Sequence, residues 1–328
     1  MDPFSYERVG DVETAVAAIA RDPGAAFIAG GTELLNWMKE RIATPRRLLD
    51  INDLPLGAVE LTGSTLRLGA LARMSDVAAH PEVRRRIPAV ARALELSASP
   101  QLRNMASMGG NLMQRTRCPY FRADAVLPCN KRTPGSGCAA RHGENRAHAI
   151  FGWSDACVAT HPSDLAVALA AFDAVVHVRG AGGERTIPMG EFHRLPGETP
   201  ERDTTLRQDE LITAIEIPLS AATAASEYVK VRERASYEFA LTSAAAGIAV
   251  AGDRIVEARL ALGGVAHRPW RLRRAEQALV GVAPSRDAFR RAVEADFLDA
   301  RPLEHNEFKV ELAKRTALRA LAIAGGLA

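Results

Sequence analysis

Apolar residues recur at helical spacing in the opening segment DVETAVAAIARDP, where Val12, Val16 and Ile19 share one face. Asp11 precedes the run as an N-cap and Pro23-Gly24 follow it, so a helix is expected between them. The next apolar run, AAFIAGG at 25–31, is short, continuous and closed by paired glycines, the pattern of a buried strand entering a tight turn. Helical spacing resumes in TELLNWMKER through Leu34, Leu35 and Met38, and RRLLDIND at 46–53 reads as a second strand. Strand, glycine turn, helix and strand together predict an α/β unit with a parallel pair.

Beyond Pro55, LRLGAL at 66–71 reads as a strand, and a long helical stretch runs from Ser75 to Ser97 with breaks near Pro81 and Pro88. Periodicity then fades. From 112 to 160 the chain is rich in Gly, Pro and Arg, which suggests a loop organised by something other than its own core. Patterning returns in SDLAVALAAFDAVVHVRG (163–180), a helix followed by a strand, and RGAGGERTIPM reads as a hairpin. HRLPGETPERDT (193–204) is expected to be a surface loop, and the Ala/Thr/Ser-rich stretch near 220–226 a link. After it, EYVKVRER and AAAGIAVAGDRIVEARLALGG suggest an antiparallel sheet, then helices to the end. Two domains are expected, 1–222 and 223–328, the first with subdomains of about 1–55 and 56–222 and an insertion of about 112–160.

Composition narrows the function classes. With 47% hydrophobic and 25% charged residues the chain is of ordinary globular type, and a formal charge of +3 is too small to argue for nucleic acid. Aromatics at 5% also weigh against a base-stacking surface. No run approaches the roughly 18 consecutive apolar residues of a membrane helix. MDPFSYERVGD lacks the basic start and apolar core of a signal peptide, so the cytoplasm is expected, or the periplasm if a signal-bearing partner exports the folded chain.

Two glycine turns carry candidate chemistry. AGGTE (29–33) closes a strand and opens a helix, so its amides and the Thr32 hydroxyl can cradle a phosphate; SMGGN (107–111) offers a similar turn. Either alone is equally an ordinary strand-ending turn. Together they suit a pyrophosphate gripped from two sides. Standard nucleotide fingerprints are missing: no G-x-G-x-x-G follows a strand, and without a Gly-Lys pair there is no P-loop.

IAGGTELL, SMGGNLMQ and HPSDLAVAL, in that order, resemble the FAD-binding subunit of the molybdenum hydroxylases, the xanthine dehydrogenase and aldehyde oxidoreductase group; KVRERASYEFALTSAAAGIAV resembles the start of that family's C-terminal domain. The resemblance implies an α/β (α+β) fold: an FAD domain of the vanillyl-alcohol-oxidase (PCMH) type in two subdomains, followed by a smaller sheet-and-helix domain. It implies that Ile28, Ala29, Gly30, Gly31, Thr32, Glu33 and Leu34, with Ser107, Gly109, Gly110 and Asn111, hold FAD. It also implies that Asp164 lies near the flavin ring, with Lys230 a further flavin contact.

All four cysteines, Cys118, Cys129, Cys138 and Cys157, lie in the stretch where this chain departs from most of that family. The departure resembles a subgroup of bacterial aldehyde oxidoreductase subunits whose insertion holds a [4Fe–4S] cluster, and CPYF, LPC and GENRAHAIFG strengthen the match. Four thiolates are the usual complement for such a cluster, and the neighbouring Arg115, Arg117, Arg122, Lys131, Arg132, Arg141 and Arg146 can offset its negative charge. Zinc is the nearest rival, although the intervals of 10, 8 and 18 residues lack the tight pair of a structural zinc site. Disulfides or free thiols are the remaining readings. His142 and His148 lie in the same segment and are expected to be solvated or hydrogen-bonded.

The function implied is electron transfer: FAD collects electrons from [2Fe–2S] clusters on a small partner, fed by a molybdenum cofactor on a large one, and passes them to an acceptor. A self-contained flavin oxidase and a metal-stabilised scaffold without flavin are the alternatives. No catalytic residue is expected, since neither G-x-S-x-G nor H-E-x-x-H occurs.

Overall fold

In the computed structural model, which describes residues 1–327, strands β1 (Ser5–Arg8), β2 (Ala25–Ile28) and β3 (Arg47–Asp50) form a parallel sheet in the order β1-β3-β2. The helix Val12–Arg21 begins at Asp11, whose carboxylate accepts from the Thr14 amide at 2.7 Å. It buries Ala15, Val16 and Ile19 as its periodicity requires.

A second sheet contains β4 (Val59–Thr62), β5 (Thr65–Gly69), β6 (Val175–Gly180), β7 (Gly183–Pro188) and β8 (Leu211–Pro218), antiparallel throughout in the order β4-β5-β8-β6-β7. Pro81 and Pro88 each open a new helix, Pro81–Arg86 and Pro88–Glu95, because a proline at the first helical position loses no hydrogen bond. The helix Asp164–Ala171 is buried at all eight positions. An element apolar on every side belongs in a core, and this one packs between the second sheet and the strands that follow.

The third sheet is antiparallel, order β12-β11-β10-β9, from β9 (Ser226–Val231), β10 (Thr242–Ala251), β11 (Arg254–Gly263) and β12 (Trp270–Arg271). Helices Arg273–Leu279, Arg286–Asp296 and Phe308–Ala324 join it around a core of their own. The fold is mixed α/β.

The link at 220–226 is ordered: Ser220 caps a short helix, Ala221–Ala224, and Ala222, Thr223 and Ser226 are buried. Two sequence expectations need correction. The loop 193–204 is only partly a surface loop, since His193 is buried and Asp203 accepts from Lys131 and, at 2.6 Å, from Arg115. The insertion also has apolar anchors. Ile150 and Phe151 are fully buried in the core of the third sheet, their amides donate to the Val265 carbonyl at 2.9 and 3.0 Å, and Phe151 stacks on Trp270 at 5.1 Å. Burying two such side chains stabilises by about 1.5–3 kcal/mol each, which helps to offset the ordering entropy of irregular backbone.

Candidate functional site: a deep cavity and a nest of thiols

The end of β2 and the turn after it form one wall of a cavity of about 1120 Å³. Ile28 through Leu34 line it, as do Ser107, Gly109, Gly110, Asn111 and Asp164. That volume lies just beyond the usual range of roughly 300–1,000 Å³ for a small-molecule pocket, as an elongated dinucleotide requires.

The glycines in the two turns have different reasons to be there. A Cβ on Gly30 would lie 1.9 Å from the Met105 carbonyl oxygen, so Gly30 permits a backbone-to-backbone approach. Gly31 holds φ +69°, a left-handed conformation that glycine adopts without strain. A Cβ on Gly110 would lie 2.9 Å from the Ser107 hydroxyl oxygen, so only that side chain would have to turn aside.

The amides differ as well. Among the described residues no acceptor takes the amide protons of Gly30, Gly31, Thr32 or Glu33. In the second turn the Met108 and Gly109 amides already donate to Ala72 and Ala70 carbonyls at 3.0 and 2.8 Å, and Asn111 to Ser107 at 2.9 Å. Gly110 makes only a longer bond, 3.2 Å, to the Ser107 hydroxyl. The first turn is thus the stronger anion cradle, and the second contributes one amide with the polar side chains of Ser107 and Asn111.

Asp164 lines the cavity and Lys230 does not. Lys230 Nζ instead donates to Asp164 Oδ2 at 2.8 Å and to the Leu96 carbonyl at 3.1 Å. The same carboxylate accepts from the Tyr228 hydroxyl at 2.6 Å and the Ser97 hydroxyl at 3.0 Å. Burial and the adjacent carboxylate both push the Tyr228 phenol well above its ordinary pKa. Lys230 therefore supports the carboxylate that faces the cavity. Sequence reasoning also missed a group at the mouth: Arg117, Arg122, Arg234, Tyr237 and Phe239 line it. The RERASYEF run had signalled only a domain start, although two aromatics in a short loop between strands were the visible clue.

The four cysteines converge. Cys118, Cys129, Cys138 and Cys157 line one small cavity of about 10 Å³, Cys129 and Cys138 face each other in an isolated antiparallel bridge, and no disulfide joins them. Burial pushes the Cys118 thiol up to about 11. A hydrogen bond from Cys157 draws Cys138 down to about 6, and that bond together with burial raises Cys157. His148 Nε2 lies 3.2 Å from Cys118 Sγ, so it is neither solvated nor remote from the thiols. Among the described residues no group of three or more His, Cys, Asp or Glu is arranged to hold a metal ion. The donor chemistry suits an iron–sulfur cluster, but the space between the thiols is at most that of one water, so any cluster must spread them.

The basic side chains around the thiols are already partnered within the chain. Arg115 and Lys131 pair with Asp203, Arg117 and Arg122 with Glu33, Arg141 with Asp155 and Arg146 with Glu233. Arg132 donates to backbone carbonyls, including Ala123 at 2.7 Å. Burial raises the Asp203 carboxyl, but Lys131 and Arg115 outweigh it and hold the group below its ordinary range.

Residues 2–220 match the family described as "FAD binding domain in molybdopterin dehydrogenase", and residues 227–324 match "CO dehydrogenase flavoprotein C-terminal domain". The chain belongs to this family and is an oxidoreductase subunit. It is 48% identical over 324 residues to the aldehyde oxidoreductase FAD-binding subunit PaoB of Escherichia coli, with 98% of each chain covered. It is 27% identical to the carbon monoxide dehydrogenase medium chain of Hydrogenophaga pseudoflava, covering 97% of this chain and 96% of that one. A solved carbon monoxide dehydrogenase structure from that organism superposes with a TM-score of 0.77 at 27% identity, covering 99% of this chain and 98% of that one.

Proposed function

We propose that this chain is the FAD-carrying electron-transfer subunit of a molybdenum-dependent complex of the aldehyde oxidoreductase or xanthine dehydrogenase type. The 48% identity to an aldehyde oxidoreductase subunit favours aldehydes as the substrate class of the complex. The observation that carries the reading is the large cavity lined by unpaired amides at Gly30–Glu33 and by the braced Asp164 carboxylate. FAD, when bound, supplies chemistry that takes electrons singly and releases them in pairs. The chain's own part is positional. Gly30–Glu33 and Gly110 offer donors to the pyrophosphate, and Lys230, Tyr228 and Ser97 hold Asp164 in one rotamer beside the flavin.

The partners in this reading are a large molybdenum-cofactor subunit and a small [2Fe–2S] subunit, with an external acceptor beyond them. The four cysteines are read as ligands of one [4Fe–4S] cluster; convergence of four thiols without a disulfide supports this. Nothing in the fold or the relatives favours a self-contained oxidase or a flavin-free scaffold.

The natively purified protein should co-elute with a molybdenum-bearing large subunit and show flavin absorption together with iron and sulfide. Each Cys→Ser variant should lose most of the iron and sulfide, because a hard hydroxyl replaces a soft thiolate poorly. A protein that runs alone and oxidises aldehydes would refute the subunit reading. Zinc in place of iron would refute the cluster.

A further inference from the structure

The cysteine insertion touches the FAD cavity through Arg117, the residue next to Cys118. Its guanidinium donates to both carboxylate oxygens of Glu33, to Oε2 at 2.8 Å, and to the Arg115 carbonyl at 2.7 Å. The same guanidinium lies 4.7 Å from the ring centroid of Phe239 at the cavity mouth. Glu33 also accepts from Arg122 and from Trp37 Nε1 at 2.8 Å, and Arg122 reaches on to Glu40 at 2.9 Å. The Glu33, Arg117 and Arg122 side chains are only 16%, 26% and 15% exposed. Glu33 follows directly on Gly31 and Thr32, whose amides have no acceptor among the described residues.

If the part of the insertion that carries Arg117 and Arg122 lifts away, Glu33 loses both arginines at once and is left as a half-buried carboxylate with one indole donor. Such a charge turns toward water, and the turn that carries it moves too. The docked and undocked insertions therefore present different arrangements of the amides at 30–33. A ligand that needs those amides binds the docked state better, and by linkage it must favour docking to the same degree.

We propose that FAD binding and docking of the cysteine insertion are thermodynamically coupled through the Arg117–Glu33 contact. FAD holds the insertion down, and the docked insertion raises the affinity for FAD. The proposal rests on the FAD reading of the large cavity but on no metal at the cysteines.

The test uses the full-length chain, stripped of flavin and then titrated with FAD, in the parent, Arg117→Gln, Glu33→Gln, the double variant and Arg141→Gln. The last breaks an ion pair wholly inside the insertion, with Asp155. Two quantities are read: the FAD dissociation constant from flavin fluorescence, and the rate of proteolytic cleavage between residues 112 and 160 with and without FAD. Saturating FAD should slow cleavage about tenfold in the parent and in Arg141→Gln, and less than about twofold in Arg117→Gln and Glu33→Gln. Both of these variants should bind FAD about tenfold more weakly, and the double variant no worse than either. Undiminished protection in Arg117→Gln, or additive losses in the double variant, would overturn the coupling, since additivity means that each residue touches FAD separately. If Arg117→Gln does not fold, Glu33→Gln reads the same contact from its other side. A parent that binds no FAD in the titration overturns the cavity reading itself, and the coupling with it.

Discussion

Lys230 Nζ lies 2.8 Å from Asp164 Oδ2, with 1% and 5% of the two side chains exposed. The pair joins β9 to the first residue of the buried helix Asp164–Ala171, so the third sheet sets the position of a carboxylate in the large cavity. Breaking such a pair by removing one partner costs about 3–5 kcal/mol, because the other charge stays buried. Lys230→Met should therefore lower stability in urea unfolding by that amount and weaken FAD retention. The double variant Lys230→Met/Asp164→Leu should cost less than the sum of the two single changes. Additive losses would mean that the two charges do not depend on each other.

The glycines separate ligand effects from folding effects. Gly110→Val should reduce the FAD-to-protein ratio several-fold with only a small drop in melting temperature, because the added Cβ displaces one side chain, the Ser107 hydroxyl that caps the Gly110 amide. Gly30→Ala should instead lower the melting temperature, since its methyl would collide with the Met105 carbonyl. Gly31→Val tests the ligand less cleanly, because φ +69° strains any side chain whether or not FAD is bound.

Acid should destabilise the protein through four buried histidines, His148, His161, His193 and His267. The His161 and His193 rings lie 3.9 Å apart between centroids and tilted by 40°, and His193 Nε2 donates to the Leu112 carbonyl at 2.9 Å. Burial pushes His148 and His193 down to about 4 and holds His161 and His267 well below the usual imidazole range. The unfolded chain protonates near 6.5, so it binds more protons than the folded one between there and about 4. The stability these groups contribute is complete above pH about 6.5 and falls as the pH drops through that window, by up to ~1.4 kcal/mol per pH unit per histidine. Urea midpoints at pH 7.5 and 5.0 check the slope, and His193→Gln should flatten it by one proton. A flat profile in the parent would contradict the assignment.

Lys309 should prove indispensable to the insertion. Its Nζ is buried and donates to the carbonyls of Gly264, His148 and Ala147 at 2.6, 2.8 and 3.1 Å. Lys309→Met removes the common donor, and each buried carbonyl left unpaired costs about 1–3 kcal/mol. Hydrogen exchange should show faster amide exchange at 145–151, centred on the Ile150 and Phe151 bonds to Val265. Unchanged protection there would assign the anchoring to Phe151 and Trp270 alone.

Periodicity and punctuation made much of the scaffold legible. The Asp11 cap, the helices opened by Pro81 and Pro88 and the β6–β7 hairpin all appear where local pattern put them, because neighbours in sequence determine them. Both glycine turns were visible too, but not the difference between them. Sequence does not show that Gly30 faces the Met105 carbonyl or that the second turn's amides already have acceptors. The insertion was read as lacking a core because its apolar residues, Ala149, Ile150 and Phe151, form a run of three with no period. Their partners, Val265 and Trp270, lie more than a hundred residues on, beyond any local signal. Nothing local marks Lys309 either, since its three acceptors belong to irregular backbone far upstream.

The contacts of the insertion also constrain the order of events during synthesis. Residues 112–160 are held by Glu33 from upstream, by Asp203 from downstream and by Asn306 and Lys309 near the end of the chain. Contacts separated by some 160 residues close late, because the intervening chain must first lose its freedom. The four thiols thus cannot settle into one nest until translation has passed Lys309 and the last helix has docked. Any cofactor delivered to them must arrive after the polypeptide is essentially complete, or be held in a segment that has not yet found its place.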